Sequence, residues 1–586
     1  MFKKALLFLC LTSISGASLT YALPEKGVTQ KNSIKVYTAR EIVTLDPEAP
    51  LAEAVAVDGD KIVAVGSLAK IKQALAGERL EVDVRFADKV LVPGLINQHD
   101  HPWLAALTLS TEVIAIEDWQ LQGKTYPRAA NPQEYRQRLQ AVVEAHGKRQ
   151  DVLYSWGYHR LWHGDLSRAD LDAISATVPI VIWQRSAHEF IFNTRALSYF
   201  GIDRARVDKF SSASRAQSNL EKGHFWEQGA MALVPMLFQE MAAPQRFIPA
   251  LKMVRDYWHA AGSTLVVEPG GLVNRDLQSM QNSVFGPADT PFHMDYIADG
   301  KTMAYQYIDG DLIGETEKLL SWGEGMSRFI PKQVKLFTDG AMFGQLMQMK
   351  EGYLDGHQGE WIIDPERFEK AFKVYWDAGY QIHVHQNGDA GLDVLLDVVE
   401  ANLKRNPRED HRTVVVHFGF STLEQVQRIA DLGMIVSANP YYTVALADTY
   451  SEVGVGSERA QQMVRLGDVA RAGMSFSLHS DMPMAPGKPL FLMWSAVNRT
   501  TLEGNIAGPN QRISAEQALR AVTLGAAYSM QLEKQLGSIE VGKLANLTVL
   551  AENPLTVDPM TIKDIDVWGT LHEGRVLPAS CCSLLR

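Results

Sequence analysis

Residues 91–103 read LVPGLINQHDHPW. The apolar run 90–96, interrupted at Pro93 and Gly94, reads as a buried strand that delivers His99 and His101 at its end. Strand side chains alternate faces, so both imidazoles can reach one metal ion while Asp100 faces elsewhere. Alone, a His-x-His pair fits two loop histidines equally well, and its meaning depends on partners further along the chain.

Those partners recur in a pattern. In AAGSTLVVE, DAGYQIHVH, DLGMIVSAN and RAGMSFSLH an amphipathic helix pattern ends at Gly262, Gly379, Gly433 or Gly473, and a short apolar strand follows. Glycine suits the left-handed position that closes a helix, and the apolar run suits a strand of a buried parallel sheet. Six residues beyond the glycines stand Glu268, His385, Asn439 and His479, each where its strand should end. Helices alternating with buried strands that end in polar groups predict an α/β fold, a (β/α)8 TIM barrel with its site at the C-terminal strand ends. Segments 333–338, with Lys335, and 413–418, with His417, read as further strands. Residues from about 105 to 250 read as a long insertion after the first barrel strand, with helical patterns at Pro132–His146 and 166–175 and a strand-like PIVIWQ.

The chain ends differ from this middle. Residues 33–92 and 537–577 alternate apolar residues with Gly or Asp turns such as Asp58-Gly59. They predict one small composite β-sandwich domain from 33–90 and 537–586, with the barrel over 91–536. Ahead of them, Lys3, Lys4, an apolar run at 5–11 and small residues up to Ala22 make 1–22 a secretory signal peptide, cleaved after Ala22. Its apolar run is well short of the roughly 20 residues that span a bilayer, so a periplasmic or secreted protein is expected. Loss of two lysines and no acids moves the formal net charge from -11 to -13, which argues against nucleic acid as a partner. Of three cysteines, Cys10 leaves with the leader and Cys581 and Cys582 are adjacent, which leaves no disulfide framework and no thiolate metal site.

Collected at the expected strand ends are His99, His101, Lys335, His385, His417 and Asp481. Nitrogen donors with a carboxylate and no thiol suit a hydrolytic zinc site that keeps a position open for water. His383 shares the face of His385 and is the alternative to it. Each residue also has an ordinary reading: His417 as a packed core histidine, Asp481 as a helix cap before Pro483, Lys335 with its amine in solvent. Their common place in the pattern favours a site. A lysine inside a buried strand is costly unless paired or modified.

The segments VPGLINQHDH, VKLFTDGA, HVHQNGDAG, VVVHFG, SLHSDMP, ALRAVTLGAAYSM and GSIEVGKLANLTVL, in that order, resemble the amidohydrolase superfamily and within it the YtcJ-like (amidohydrolase-3) branch. The resemblance runs from about residue 34 to 576. It implies His99 and His101 as ligands on the first strand and Lys335 carboxylated on its amine to bridge two metals. It further implies His385 and His417 as ligands on the fifth and sixth strands, and Asp481 on the eighth as ligand and general base/acid. The implied cofactor is one or two divalent ions, zinc by donor type. A bound metal lowers the pKa of its water from 15.7 to about 7, so hydroxide would attack a carbonyl while Asp481 carries the proton to the leaving nitrogen. WQRSAHEFIFN resembles the family segment whose histidine faces the substrate, which gives His188. Trp103, Trp156, Trp162 and Trp183 are candidates for an aromatic wall, and Glu227 and Glu268 for substrate contact or ion pairing. His479 stands where a small residue is common in the family and is a candidate for substrate contact, for a donor behind the ligands, or for a packed histidine; Asn546 stands where Asp is usual.

The expectation is an exported metal-dependent amidohydrolase that cleaves the C–N amide bond of a small apolar or aromatic substrate, compatible with homo-oligomers. Two alternatives stay open. One is deamination, ester or cyclic-amide hydrolysis, or a lyase or isomerase step on the same metal scaffold. The other is a non-catalytic periplasmic binding or regulatory protein that keeps the barrel.

Overall fold

The computed structural model describes residues 33–579 apart from 122, 148, 150 and 272, so the expected leader and the C-terminal cysteines lie outside the described residues. Eight strands form one all-parallel sheet in chain order: Leu95–Asn97, Ser263–Pro269, His293–Asp299, Ser327–Phe337, Gln381–Gln386, Val414–His417, Ile435–Ala438 and Phe476–Leu478. They are the first to eighth barrel strands. The sheet is curled, and its edges meet beyond the strand ends, where Asp481 N–H donates to the His99 carbonyl and His101 N–H to the Met482 carbonyl, each at 3.0 Å. The four glycines that close helices ahead of the second, fifth, seventh and eighth strands have φ between +66° and +85°, the region where a Cβ is strained.

The third strand, HMDYIAD, is absent from the sequence reading. Asp295 and Asp299 break its apolar run, and no glycine stands directly before it. Asp295 is buried against Arg328 of the neighbouring fourth strand at 2.9 Å, a compensation that no local pattern reveals.

The run 90–96, read as one strand, is two. Leu80–Pro93 belongs to the small sheet and pairs through its end with Leu547–Leu550, while Leu95–Asn97 opens the barrel. The break falls at Gly94, where an added Cβ would lie 2.2 Å from the Thr264 hydroxyl, so a side chain there would push the first strand off the second.

Both chain ends contribute to a seven-stranded sheet in the order Arg575–Pro578, Val567–His572, Leu547–Leu550, Leu80–Pro93, Ile34–Val43, Leu51–Asp58, Lys61–Gly66. Where a sandwich of two sheets is expected, the ladder is continuous. Register shifts between Tyr37 and Glu41 mark where it bends. Phe86 meets Tyr37 at 5.7 Å and Trp568 at 5.1 Å between ring centres, so the two halves share one core as sandwich layers would.

The insertion builds a separate six-stranded sheet around Leu153–Tyr158, Ile180–Gln184 and Glu189–Phe192, with helices at Pro132–His146 and Arg168–Ile174. Buried Arg185 ties it to the barrel: it pairs with Glu117 at 2.7 Å and donates to the Met484 carbonyl, three residues past Asp481, at 2.7 Å. Among the described residues no helix is long and apolar enough to cross a membrane.

After the fourth strand, the buried Asp339 carboxylate accepts from the N–H groups of Gln348, Asn387 and Gly388 and from the Thr338 hydroxyl, at 2.6–3.0 Å. Burial outweighs these bonds and pushes its pKa up to about 6. Asp339→Ala strands three buried donors and should destabilise the fold by about 3–5 kcal/mol, read as a lower guanidinium midpoint at unchanged slope. An unmoved midpoint would show that other contacts hold this turn.

Candidate active site

His99, His101, Lys335, His385, His417 and Asp481 all line one cavity of about 270 Å³ at the C-terminal ends of the strands. His99 Nε2 lies 3.3 Å and His101 Nε2 2.9 Å from Asp481 Oδ1, and His417 Nδ1 lies 3.8 Å from Asp481 Oδ2. The rings of His385 and His417 are 4.5 Å apart. His383 is turned to Gln333, with 3.1 Å between Nε2 and Oε1, and does not line the cavity. His417 and Asp481 adopt φ of +73° and +56°, a strained conformation for residues with a Cβ that gathers at functional sites.

The electrostatics divide the histidines. Burial, and after it the neighbouring charge of Lys335 or a neighbouring imidazole, holds His99, His385, His417 and His479 well below the ordinary histidine range. Neutral imidazole is the form that ligates a metal. Burial pulls His101 the same way, but Glu268 Oε1 at 2.5 Å from Nδ1, together with Asp481, outweighs it and raises its pKa to about 10. Lys335 is buried, its amine has no hydrogen-bond partner among the described residues, and burial pushes its pKa down to about 7. Gly270 makes room for it, since a Cβ there would lie 2.8 Å from Lys335 Cγ.

Asp100 turns away from the cavity, as expected, and has a structural task. Its oxygens accept from the Ser480 hydroxyl, Met482 N–H at 2.8 Å, Asn97 Nδ2 at 2.8 Å and Trp258 Nε1 at 2.9 Å, which bolts the first strand to the loop after the eighth.

The remaining candidates separate. His188 lines the cavity with its Nδ1 3.0 Å from Glu227 Oε2, and Trp103 and Trp183 line it beside Phe238 and Phe343. Trp156 packs on Trp119 and Trp162 on His159, and neither lines the cavity. Glu268 is the partner of His101. His479 sits behind His417, outside the lining. Asn546 lies in the small sheet and accepts from Glu573 N–H at 2.7 Å.

Of the lining residues missing from the sequence reading, three stand close to the proposed site. Asn387 holds its amide 3.0 Å from His385 Nε2. Lys301 follows the unrecognised third strand and lies over the Phe337 ring at 4.9 Å. Tyr442, three residues after the strand-end Asn439, lines the cavity 6.4 Å from His417 between ring centres. The strand-end rule that found Asn439 could have reached Tyr442.

Imidazoles and a carboxylate gathered at the C-terminal mouth of a parallel barrel define the class of metal-dependent hydrolases. Residues 87–578 match the amidohydrolase family. The chain belongs to that family and is a metal-dependent hydrolase of the kind that acts on carbon–nitrogen bonds other than peptide bonds. It is similar to the N-substituted formamide deformylase of Arthrobacter pascens, 24% identical over 93% of this chain and 98% of that one. It is also similar to the putative amidohydrolase YtcJ of Bacillus subtilis, 22% identical over 92% of this chain and 98% of that one, in keeping with the branch its motifs imply. An uncharacterized metal-dependent hydrolase from Pyrococcus horikoshii has the same fold, with a TM-score of 0.67 at 19% identity, over 90% of this chain and 99% of that one.

Glu268→Gln keeps the shape beside His101 but removes the charge that orients it. Divalent-metal affinity, measured by chelator competition, should fall about 10–100-fold, as for other outer partners of ligating histidines. Unchanged affinity would remove Glu268 from the metal site.

Proposed function

We propose that the protein is an exported enzyme that hydrolyses the amide bond of small N-substituted amides bearing an apolar or aromatic group. The observation that carries the reading is Asp481, whose carboxylate touches His99 and His101 and borders His417 on a cavity walled by Trp103, Trp183, Phe238 and Phe343. The similarity to a formamide deformylase over nearly the full length of both chains makes formamides the first class to try. Export rests on the composition of residues 1–22.

The residues fit divalent ions. The Lys335 amine and Glu268 Oε2 are buried without partners among the described residues, and the imidazoles of His99, His385 and His417 are held neutral. His99, His101 and Asp481 would hold one ion and His385 and His417 another, with Lys335 between them as a carbamate. An amine with a pKa near 7 is substantially uncharged at neutral pH and can add carbon dioxide, releasing a proton. When bound, the metal, zinc by donor type, supplies a Lewis acid that acidifies water and polarises a carbonyl oxygen.

The chain's own groups do the rest. Asp481 accepts the proton of the attacking water and passes it to the leaving nitrogen, so the amine departs neutral. Glu268 keeps the His101 ring in place through Nδ1. The aromatic wall seats the substituent and excludes bulk water from the amide.

Metal-loaded protein incubated with N-benzylformamide should release equal amounts of benzylamine and formate. Asp481→Asn should cut kcat by about 10²–10⁴. Lys335→Ala should lower metal content, by elemental analysis, from two equivalents to one or none. Ammonia release from amino-substituted rings instead would move the reaction to deamination, and tight binding without turnover would favour the binding-protein alternative.

A further inference from the structure

We propose that Lys301 binds a carboxylate carried by the substrate, so that the substrates of this site are N-substituted amides whose apolar or aromatic group ends in an acid. The proposal rests on the amide-hydrolase reading above and narrows its substrate class. The other charges that line the cavity have partners or lie deep in it. Asp481 meets His99 and His101, and Lys335 is buried. Asp299 accepts from the N–H groups of Lys301 and Thr302, at 3.0 and 3.2 Å, and from the Thr302 hydroxyl. Lys301 lines the same wall, partly buried, and its amine makes no ion pair among the described residues.

The place of the amine is fixed. Lys301 is the second residue of the helix Gly300–Tyr307, which follows the third strand directly. Its Nζ lies 4.9 Å from the centre of the Phe337 ring, a face that attracts a cation, and that ring lies 5.4 Å from His385, so the amine is within about 10 Å of the His385 imidazole. Its charge is felt at His385 on the barrel, after burial and Lys335, and at His188 on the insertion, after burial and Glu227. An amide held at the histidines with its substituent along Phe337 therefore directs the far end of that substituent at Lys301. An apolar substituent alone would take the amine out of water without a counter-charge, which is unfavourable, whereas a carboxylate on its end pairs with it. Asp299 on the same wall repels a second negative charge, so a carboxylate suits the place better than a phosphate dianion.

The experiment compares hydrolysis of 4-(formamidomethyl)benzoate and of N-benzylformamide by the metal-loaded full-length protein, beside Lys301→Met and Lys301→Glu. The wild type should prefer the acid in kcat/KM by about 10–100-fold, through a lower KM. The preference should vanish in Lys301→Met, which keeps the stem over Phe337, and reverse in Lys301→Glu. Each preference is a ratio within one protein, so general damage by a substitution cancels. A wild type that prefers the neutral amide, or a preference that survives Lys301→Met, overturns the proposal. Should both variants misfold by near-UV circular dichroism, the wild type decides through N-[4-(aminomethyl)benzyl]formamide, with preference for the acid over this amine supporting and the reverse overturning. If no amide is cleaved, the amide-hydrolase reading falls by itself and calorimetric binding decides here. Tighter binding of the acid than of N-benzylformamide then supports the Lys301 site, and equal or weaker binding overturns it.

Discussion

The barrel is closed by two backbone hydrogen bonds, Asp481 to His99 and His101 to Met482, and the site depends on that seam. The first and eighth strands have three residues each, too few for a ladder that would hold the edges by itself. The segments just beyond them complete the closure, and those segments carry His99, His101 and Asp481. Asp100 locks the seam with four donors from both sides, and burial nonetheless pushes its pKa up to about 6. Closing the fold and assembling the site are therefore one event, in which the residue between the two histidines does the structural half.

Much of this was legible because strand ends repeat a local signal. A glycine that closes a helix, followed by a short apolar run and then a polar residue, located four strands and brought His385 and His479 to notice from sequence pattern alone. The signal fails where compensation is long-range. Asp295 looks wrong for a buried strand until Arg328, 33 positions later, is seen beside it. Lys301 and Asp299 were lost with that strand. Likewise 90–96 reads as continuous because what divides it is Thr264, on a strand reached only after the whole insertion. His385 and His383 differ by one pleat repeat. Only the position of the strand end, a tertiary fact, separates the cavity-lining residue from the one paired with Gln333.

The insertion explains how a common barrel acquires its own cavity. Its sheet supplies Trp183 and His188, and Met231, Val234 and Phe238 come from the helix Gln228–Met241 that follows. Arg185 lies on the same turn as His188 and reaches the Met484 carbonyl, so the wall that would meet the substrate is anchored to the loop that carries Asp481. Its guanidinium is buried over the Phe343 ring at 4.7 Å and paired with Glu117, a geometry in which breaking either partner leaves a charge stranded. Specificity and catalysis share this mechanical link. A change in the insertion need not touch the histidines to move the carboxylate beside them.

The centre is an electrostatic compromise. Glu268 and Asp481 draw His101 toward its charged form, while burial and the Lys335 charge hold four neighbouring imidazoles neutral. Lys335 itself is buried with no acceptor, and an unpaired buried cation is unfavourable by several kcal/mol. A divalent ion would satisfy the neutral nitrogens and Asp481 but would be repelled by a lysine left as a cation. Conversion of that amine to the proposed anionic carbamate would remove the repulsion and add a ligand. Each change makes the other more favourable, so ion uptake and lysine modification would be coupled in the way that metal binding and folding are coupled elsewhere. A lysine amine buried among imidazoles is thus a local violation of packing rules that the proposed carbamate would relieve.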